Sequence, residues 1–401
     1  MIIVFTLVNL LLIALVSRWL WKRLATPGSL LFWSALAFRL AAGIGVGLLY
    51  MYYYHGGDTF SLFEEAIGAT RPDTTEPRSL FFIYLLRGLT TITGNNYWLT
   101  SLWLSLFSFI CSYRLVVKLV EVFPSMELAS KVALLFWPSV VFWTAGVVKE
   151  SLAFGSVMIL SLYFLSFMNN EKLTWRSFVE IILALVLLLN LKYYWAAVLI
   201  PSLITAIVVR KIKPEKFFAG WYMVVFLLLC LAASFMHPNF YLDRFVYVLV
   251  ENHDIYVLRF PYNLIHYYDL TPEWSSLLIN SPLALWSGLF RPTVLEISSA
   301  PEALAAFENF ILLALAAWKI ISVLPRTASL VARPSPENRL LLLTVVIYII
   351  VLCIFLALST PNLGTLSRYR VGFLPFFVLL ILANHPILSF INGKPSHHIR
   401  S

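Results

Sequence analysis

The sequence predicts an all-α polytopic membrane protein. Hydrophobic residues make up 60% of the 401-residue chain and charged residues only 12%, whereas soluble proteins are about 45–50% apolar. A membrane-spanning helix uses about 20 mainly apolar residues, so the composition suffices for about ten to twelve spans. These proportions exclude a soluble enzyme, a coiled coil, a disordered chain and a nucleic-acid-binding domain. The long unalternating apolar runs also argue against an outer-membrane barrel.

The apolar runs predict about eleven transmembrane helices. The first run precedes Arg18, Lys22 and Arg23, which is the reverse of the charge order in a cleaved signal peptide, so we expect a retained helix with its N-terminus outside. The predicted spans are 2–17, 30–54, 97–121, 128–147, 151–168, 177–190, 194–209, 217–236, 305–324, 340–359 and 371–384. Whether residues 177–209 form one span or two stays open, because Lys192 separates two short runs.

The distribution of charge supports this threading, because basic residues mark the cytoplasmic side of membrane proteins. The loops assigned to the inside contain most of the cations: Arg114, Lys118, Lys131, Lys172, Arg176, Arg210, Lys211, Lys213, Lys216, Arg326, Arg333, Arg339, Lys394 and Arg400. The loops assigned to the outside contain most of the acids: Asp58, Glu64, Glu65, Asp73, Glu76, Asp243, Asp254, Asp269 and Glu273. The pattern places the N-terminus outside and the C-terminus inside. A bacterial inner membrane is the default expectation, and a location in the endoplasmic reticulum satisfies the same charge rule.

Two external segments are too long to be simple connectors, and long loops are usually functional. Residues 55–96 contain an apolar stretch shorter than a span, which predicts an amphipathic helix on the membrane surface. Residues 237–304 begin with a stretch of helical periodicity and continue with an apolar stretch that Pro282, Gly288 and Pro292 are expected to break. We expect this second stretch to dip into the membrane without crossing it. The chain, residues 1–401, is predicted to form a single integral membrane domain.

The first candidate site is YHGGDTFSLFEEA, directly after the second span. Asp58 follows two glycines at the outer interface, where partial burial can tune the basicity of a carboxylate. A catalytic or ligand-binding role for Asp58 competes with simple capping of the following helix. Glu65 and His55 are supporting residues, and His55 beside Asp58 could help to hold a divalent cation. The metal is unknown, because no HxxxH, HExxH or Cys/His ligand set occurs.

Two further constellations offer cations to an anionic ligand. Lys149 and Glu150 lie between two apolar runs with almost no loop around them, so Lys149 either faces a phosphate or reaches the lipid headgroups. Arg368 and Arg370 flank Tyr369 before the last span, and on an extended segment both guanidinium groups would face the same way. External arginines oppose the positive-inside rule, and arginine binds phosphate well.

Three other cations carry a weaker signal. Arg291 and Lys192 repeat the argument for phosphate binding on less distinctive segments. Arg39 lies within the second span, so it should face the protein interior and could pair with an acid.

The chain resembles the GT-C class of glycosyltransferases, similar to the dolichyl-phosphate-mannose mannosyltransferase and aminoarabinose transferase families. The resemblance covers the architecture of most of the chain and rests in sequence on GGDTFSLFEEA, FWPSVVFWTAGVVKE, GLFRPTVLE and NLGTLSRYR. It implies transfer of a sugar from a polyprenyl-phosphate carrier to a glycan, lipid or protein acceptor at the outer face, with Asp58 as the base. Arg368, Arg370, Lys149 and Arg291 would bind the donor phosphate. The chain has an extra N-terminal span and no clear second acid, so metal dependence stays open.

Two alternative functions stay open. An envelope-polysaccharide polymerase or O-antigen ligase also has many spans and external arginines, but it uses a pyrophosphate-linked glycan. A transporter or lipid flippase would carry ionisable groups at mid-membrane depth and broken helices in two related halves. The sequence shows no internal repeat, and its charges gather near the ends of the apolar runs.

Overall fold

The chain folds into helices, as its composition predicts. The computed structural model describes residues 2–24, 30–55, 57–70, 76–212, 218–235, 238–323 and 336–391. Within these ranges there is no strand, only an isolated bridge between Leu264 and Asn362. The α-helices are α1 (Ile2–Leu24), α2 (Leu30–Tyr52), α3 (Gly57–Ile67), α4 (Pro77–Thr93), α5 (Tyr97–Val122), α6 (Glu127–Lys131), α7 (Pro138–Trp143), α8 (Lys149–Met168), α9 (Trp175–Ile212), α10 (Phe218–Ser234), α11 (Leu242–Arg259), α12 (Trp274–Phe290), α13 (Ala300–Val323), α14 (Pro336–Ser359), α15 (Leu363–Tyr369), α16 (Leu374–Leu382) and α17 (Pro386–Ile391).

The apolar helices confirm the prediction of a polytopic membrane protein. Among the described residues, seven helices are long and apolar enough to cross a membrane: α1, α2, α5, α8, α9, α13 and α14. An eighth span results if the segment 363–372 and α16, which meet at a bend of 70°, are taken together. The structure therefore does not confirm the predicted number of eleven spans.

Four predicted spans look different in the structure. Residues 128–147 are not one helix, because α6, a π-helical turn over 132–136 and α7 follow one another in short pieces. The runs 177–190 and 194–209 both lie in α9, whose 38 residues extend roughly 57 Å, about twice the bilayer core. Lys192 has a non-helical backbone there (φ −144°, ψ 62°) and divides α9. The predicted span 217–236 becomes α10, with only 17 residues.

Both long segments between the apolar runs contain the helices that their periodicity predicts. The described residues within 55–96 form α3 and α4, and those within 237–304 form α11, α12 and the start of α13. One detail of the prediction is wrong, because neither Pro282 nor Gly288 breaks the apolar stretch. Both lie inside the continuous helix α12, which ends at Phe290, directly before Arg291 and Pro292.

The chain divides into two compact units, Met1–Tyr194 and Trp195–Ser401. In the first unit α5 packs against α8 and α2. Four serines of α5 are fully buried, Ser101, Ser105, Ser108 and Ser112, and Ser101 and Ser105 face Gly43 of α2. Small side chains let helices approach closely in a membrane protein, and Ser101 Oγ donates a hydrogen bond to the Gly43 carbonyl of α2 at 2.9 Å.

In the second unit α12 packs against α14. A Cβ on Gly288 would come within 2.4 Å of Cys353 Sγ, so a side chain at residue 288 would force the helices apart. Cys111 and Cys353 are buried and Cys230 is partly exposed, and all three are free thiols.

Some predicted features lie outside the described residues. These are Gly56, Asp73, Lys213, Lys216, Arg326, Arg333, Lys394 and Arg400.

Candidate functional site

A tight turn between α7 and α8 positions the candidate lysine of the first unit. Gly146 has φ +82°, and a Cβ at this position would lie 3.0 Å from the Gly43 carbonyl oxygen. Its backbone N–H donates to Ser105 Oγ at 2.9 Å. The left-handed conformation and this close approach explain why the turn needs glycine. The chain then enters α8 at Lys149.

Lys149 meets the first turn of α4. Its Nζ donates to Ser79 Oγ at 2.5 Å and lies 3.4 Å from Glu76 Oε2. Ser79 Oγ in turn donates to Glu76 Oε2 at 2.6 Å. Arg78 forms an ion pair with Glu76 as well. The amino ends of α4 and α8, which carry the positive ends of their helix dipoles, therefore meet at Lys149.

Glu150 and Lys192 form a buried ion pair beside this contact. Lys192 Nζ donates to Glu150 Oε1 at 2.8 Å, and the two side chains are 4% and 0% exposed. The pair joins the first turn of α8 to the break in α9, and Lys149 lies within electrostatic range of both residues. Lys149 and Glu150, which are adjacent in sequence, thus do not pair with each other. Lys149 pairs with Glu76, and Glu150 pairs with Lys192.

These residues form one group, called here the Lys149 cluster. Its members are Glu76, Arg78, Ser79, Lys149, Glu150 and Lys192. Three cations face two carboxylates, so the cluster has a positive balance. The guanidinium of Arg78 also lies 5.3 Å from the ring centre of Tyr193. A positive balance beside two helix amino ends is a favourable environment for a phosphate group.

Glu76 shows how strong this positive environment is. Burial alone would raise the pKa of its carboxyl. The hydrogen bond from Ser79 and the charges of Lys149 and Arg78 outweigh burial and lower the pKa of Glu76 to about 2. Glu76 is therefore an anion that already occupies part of the cationic surface.

Asp58 lies in the first turn of α3, and α3 begins beside the loop that joins α7 to Lys149. The side chain of Asp58 is exposed. The next residue, Thr59, is buried, hydrogen-bonds Tyr97 OH at 3.0 Å and contacts the Val147 carbonyl. Phe60 stacks on the Tyr97 ring with centres 4.2 Å apart and packs near Val148. The neighbours of Asp58 thus fix α3 to the turn that leads into Lys149, while its carboxylate faces outward.

The supporting residues of the first site separate. Glu65 is buried and Glu64 is exposed. His55 is exposed and has φ +51°. Among the described residues no group of three or more His, Cys, Asp or Glu side chains could hold a metal ion.

In the second unit, the two predicted arginines do not converge. The prediction assumed an extended segment, but residues 363–369 are helical and residues 370–372 continue as a 3₁₀ turn. Positions two apart on a helix point in different directions. Arg370 is fully buried, whereas Arg368 is partly exposed and lies 5.4 Å from the ring centre of Tyr369.

Arg370 is a buried cation with weak local compensation. The nearest carboxylate, Glu308 Oε1, is 3.7 Å from its Nη2. Within the described residues, none of its three guanidinium nitrogens has a hydrogen-bond partner. Such a group is costly to bury unless it binds an anion.

Arg291 has a local structural role. Its Nε donates to Glu296 Oε1 at 2.7 Å, and Glu296 also accepts hydrogen bonds from the backbone and hydroxyl of Thr293 at 2.8 Å. Burial would raise the pKa of Glu296, but Arg291 and Thr293 outweigh burial and lower it. This ion pair orders the turn after α12.

Arg39 faces the interior, as expected, but its hydrogen-bond partners in the described chain are not acids. They are Thr144 Oγ1, Ser112 Oγ and the Leu134 carbonyl. Arg39 therefore ties α2 to the residue that opens the turn at Gly146.

The structure thus gathers Lys149, Glu150 and Lys192 and fixes Asp58 to the same turn, whereas Arg291, Arg368 and Arg370 belong to the second unit. The sequence interpretation did not assign Glu76, Arg78 and Ser79 to the site. Their signal is the run Glu-Pro-Arg-Ser, since proline at the first helical position marks a helix start.

Comparison with protein families, with curated proteins and with solved structures finds no match for this chain.

Proposed function

We propose that this protein is a membrane glycosyltransferase that moves a sugar from a polyprenyl-phosphate carrier to an acceptor at the outer face of the membrane. Asp58 is the general base, and Lys149 binds the phosphate of the donor. In the second unit, Arg370 is a further candidate for binding an anionic group, because none of its guanidinium nitrogens has a hydrogen-bond partner among the described residues.

One observation supports this proposal above the others. The exposed carboxylate of Asp58 and the cation of Lys149 are attached to one turn. Thr59, the residue after Asp58, contacts Val147, which lies two residues before Lys149. A base and a phosphate-binding cation are the two groups that sugar transfer from a lipid phosphate needs. Their residues lie 91 positions apart in sequence (149 minus 58), so their joint attachment to one turn is a property of the fold.

The chemistry follows from these roles. The Asp58 carboxylate takes the proton of an acceptor hydroxyl, and the hydroxyl oxygen attacks the anomeric carbon of the sugar. The bond between this carbon and the phosphate oxygen breaks, and the electron pair leaves with the polyprenyl phosphate. Lys149 stabilises the charge that develops on that phosphate. A single displacement inverts the anomeric configuration.

The test is a transfer assay on the purified protein in lipid nanodiscs. Polyprenyl-monophosphate sugars are supplied as donors with extracted envelope glycans and lipids as acceptors, and release of polyprenyl monophosphate is measured. Asp58→Asn should lower turnover by about 10²–10⁴-fold. Glu64→Gln removes an exposed carboxylate from the same helix and should leave turnover unchanged. Thermal unfolding of each variant shows that it is folded.

Three results would contradict the proposal. Unchanged turnover in folded Asp58→Asn would show that Asp58 is not the general base. Release from pyrophosphate-linked donors alone would favour a polysaccharide polymerase or O-antigen ligase. Lack of release from any donor by the wild type, with movement of lipid between leaflets instead, would favour a flippase.

A further inference from the structure

The first unit contains an apolar groove directly beside the Lys149 cluster. Its volume is about 180 Å³, and all seven side chains that line it are leucine or phenylalanine. They come from four helices, with Phe82 and Leu86 on α4, Leu104 on α5, Leu152 on α8 and Leu187 on α9. We call it the Leu152 groove.

The position of the groove relative to the cations follows from helix geometry. On α8, Leu152 follows Lys149 by three residues, and on α4, Phe82 follows Ser79 by three residues. Residues three apart lie on one face of a helix, about 4.5 Å apart along its axis. Lys149 Nζ contacts Ser79 Oγ, and one turn farther on both Leu152 and Phe82 line the same groove. The surface between the helices thus changes from cationic to apolar within one turn.

The groove is accessible from one side. Phe82, Leu86 and Leu104 are buried, whereas Leu85, Leu89 and Leu187 keep part of their surface exposed. Leu187 therefore lies on the exposed side of the groove.

We infer that the Leu152 groove holds the phosphate-proximal isoprene units of the polyprenyl carrier. The inference rests on the proposed function, which places the carrier's phosphate at Lys149. In a polyprenyl phosphate the anion is bonded directly to the hydrocarbon, so its binding site must present a cation and an apolar surface within a few ångströms. The first unit provides both, with Lys149 and Leu152 on the same face of α8. The groove is too small for the whole chain, and the remaining isoprene units lie in the bilayer.

The experiment measures the affinity of detergent-solubilised protein for two prenyl monophosphates. Farnesyl monophosphate extends beyond the groove, and dimethylallyl monophosphate has a single isoprene unit. Leu187→Trp narrows the entrance and should raise the dissociation constant for farnesyl monophosphate at least about 10-fold, with a much smaller effect on dimethylallyl monophosphate. Leu183→Trp adds the same side chain at an exposed position one turn earlier on α9 and should have no effect. Leu187→Ala removes contacts without a clash and should also weaken farnesyl binding.

The outcomes separate this inference from the proposed function. If Lys149→Gln abolishes farnesyl monophosphate binding while both Leu187 variants bind like the wild type, the chain lies elsewhere and only the groove assignment is overturned. If the wild type binds neither monophosphate, the proposed function fails with it. Equal affinity for dodecyl phosphate and farnesyl monophosphate would identify a general lipid site and overturn the assignment to the carrier.

Discussion

Two buried cations, one in each unit, have different surroundings. Lys192 in the first unit donates a hydrogen bond of 2.8 Å to Glu150. Arg370 in the second unit is as deeply buried, but its nearest carboxylate oxygen is 3.7 Å away and no described residue accepts a hydrogen bond from it. A hydrogen-bonded carboxylate offsets much of the cost of burying a cation, whereas a more distant one offsets less. The comparison teaches that Lys192 serves the fold of the first unit, while Arg370 retains capacity for another anion.

The largest effect should follow when the satisfied pair is broken. Lys192→Met leaves Glu150, which is fully buried, without its lysine, and should lower the free energy of unfolding by about 3–5 kcal/mol. The measurement is reversible unfolding in mixed micelles, followed by tryptophan fluorescence.

The double variant Lys192→Met/Glu150→Leu is the matched control. It removes both charges and should recover most of the lost stability, because apolar replacements of a buried pair are often neutral. If the single and double variants were equally unstable, packing at the break in α9 would explain the loss and the comparison would fail.

Removing the weakly compensated cation should have a smaller effect on stability. Arg370→Met loses no hydrogen bond in the described structure and should cost about 1–2 kcal/mol. It should, however, reduce the thermal stabilisation that polyprenyl monophosphate gives the wild type, which is about 2.7 kcal/mol at 100 times the dissociation constant.

Arg339→Met supplies the control, because this arginine is an exposed cation of the second unit. It should retain the response to lipid. A loss of stability in Arg370→Met as large as that in Lys192→Met would show that both buried cations are structural.

The smallest effect concerns Glu76, the partly exposed anion of the Lys149 cluster. Its folded-state pKa of about 2 lies below its ordinary value of 4.5, so its contribution to stability is present above pH 4.5 and is lost as the pH falls towards 2. Because Glu76 is 41% exposed, solvent screening keeps this contribution below about 1 kcal/mol.

Glu76→Gln should therefore flatten the acid limb of a plot of melting temperature against pH in this window. Glu64→Gln, which removes an exposed carboxylate, should leave the curve unchanged. An identical acid limb in the wild type and Glu76→Gln would show that the cluster does not stabilise the Glu76 anion.

Periodicity predicted most helices but not their interruptions. The helices in 55–96 and 237–304 follow from apolar spacing, which each segment carries in its own sequence. The prediction that residues 128–147 form one span was wrong, because Pro138 starts a new helix after a π-helical turn. The prediction that Pro282 breaks the apolar stretch was also wrong, because α12 continues through this residue. A proline can begin, kink or merely pass through a helix, and the neighbouring helices decide which.

The candidate site was predictable in part. Asp58, Lys149 and Arg370 stand out because ionisable residues are rare in so apolar a chain. The prediction that Arg368 and Arg370 converge was wrong, because the backbone there is helical rather than extended and the two side chains point in different directions.

The sequence by itself determined the class of this protein, its helical content and which ionisable residues are unusual, since hydrophobicity and charge act locally along the chain. Only the tertiary structure decided that Lys149 meets Ser79, 70 residues away, and that Lys192 meets Glu150, 42 residues away. These contacts depend on which helix faces pack together. Many pairings of apolar helices bury similar surface, so the choice among them depends on close packing and on satisfying each buried charge.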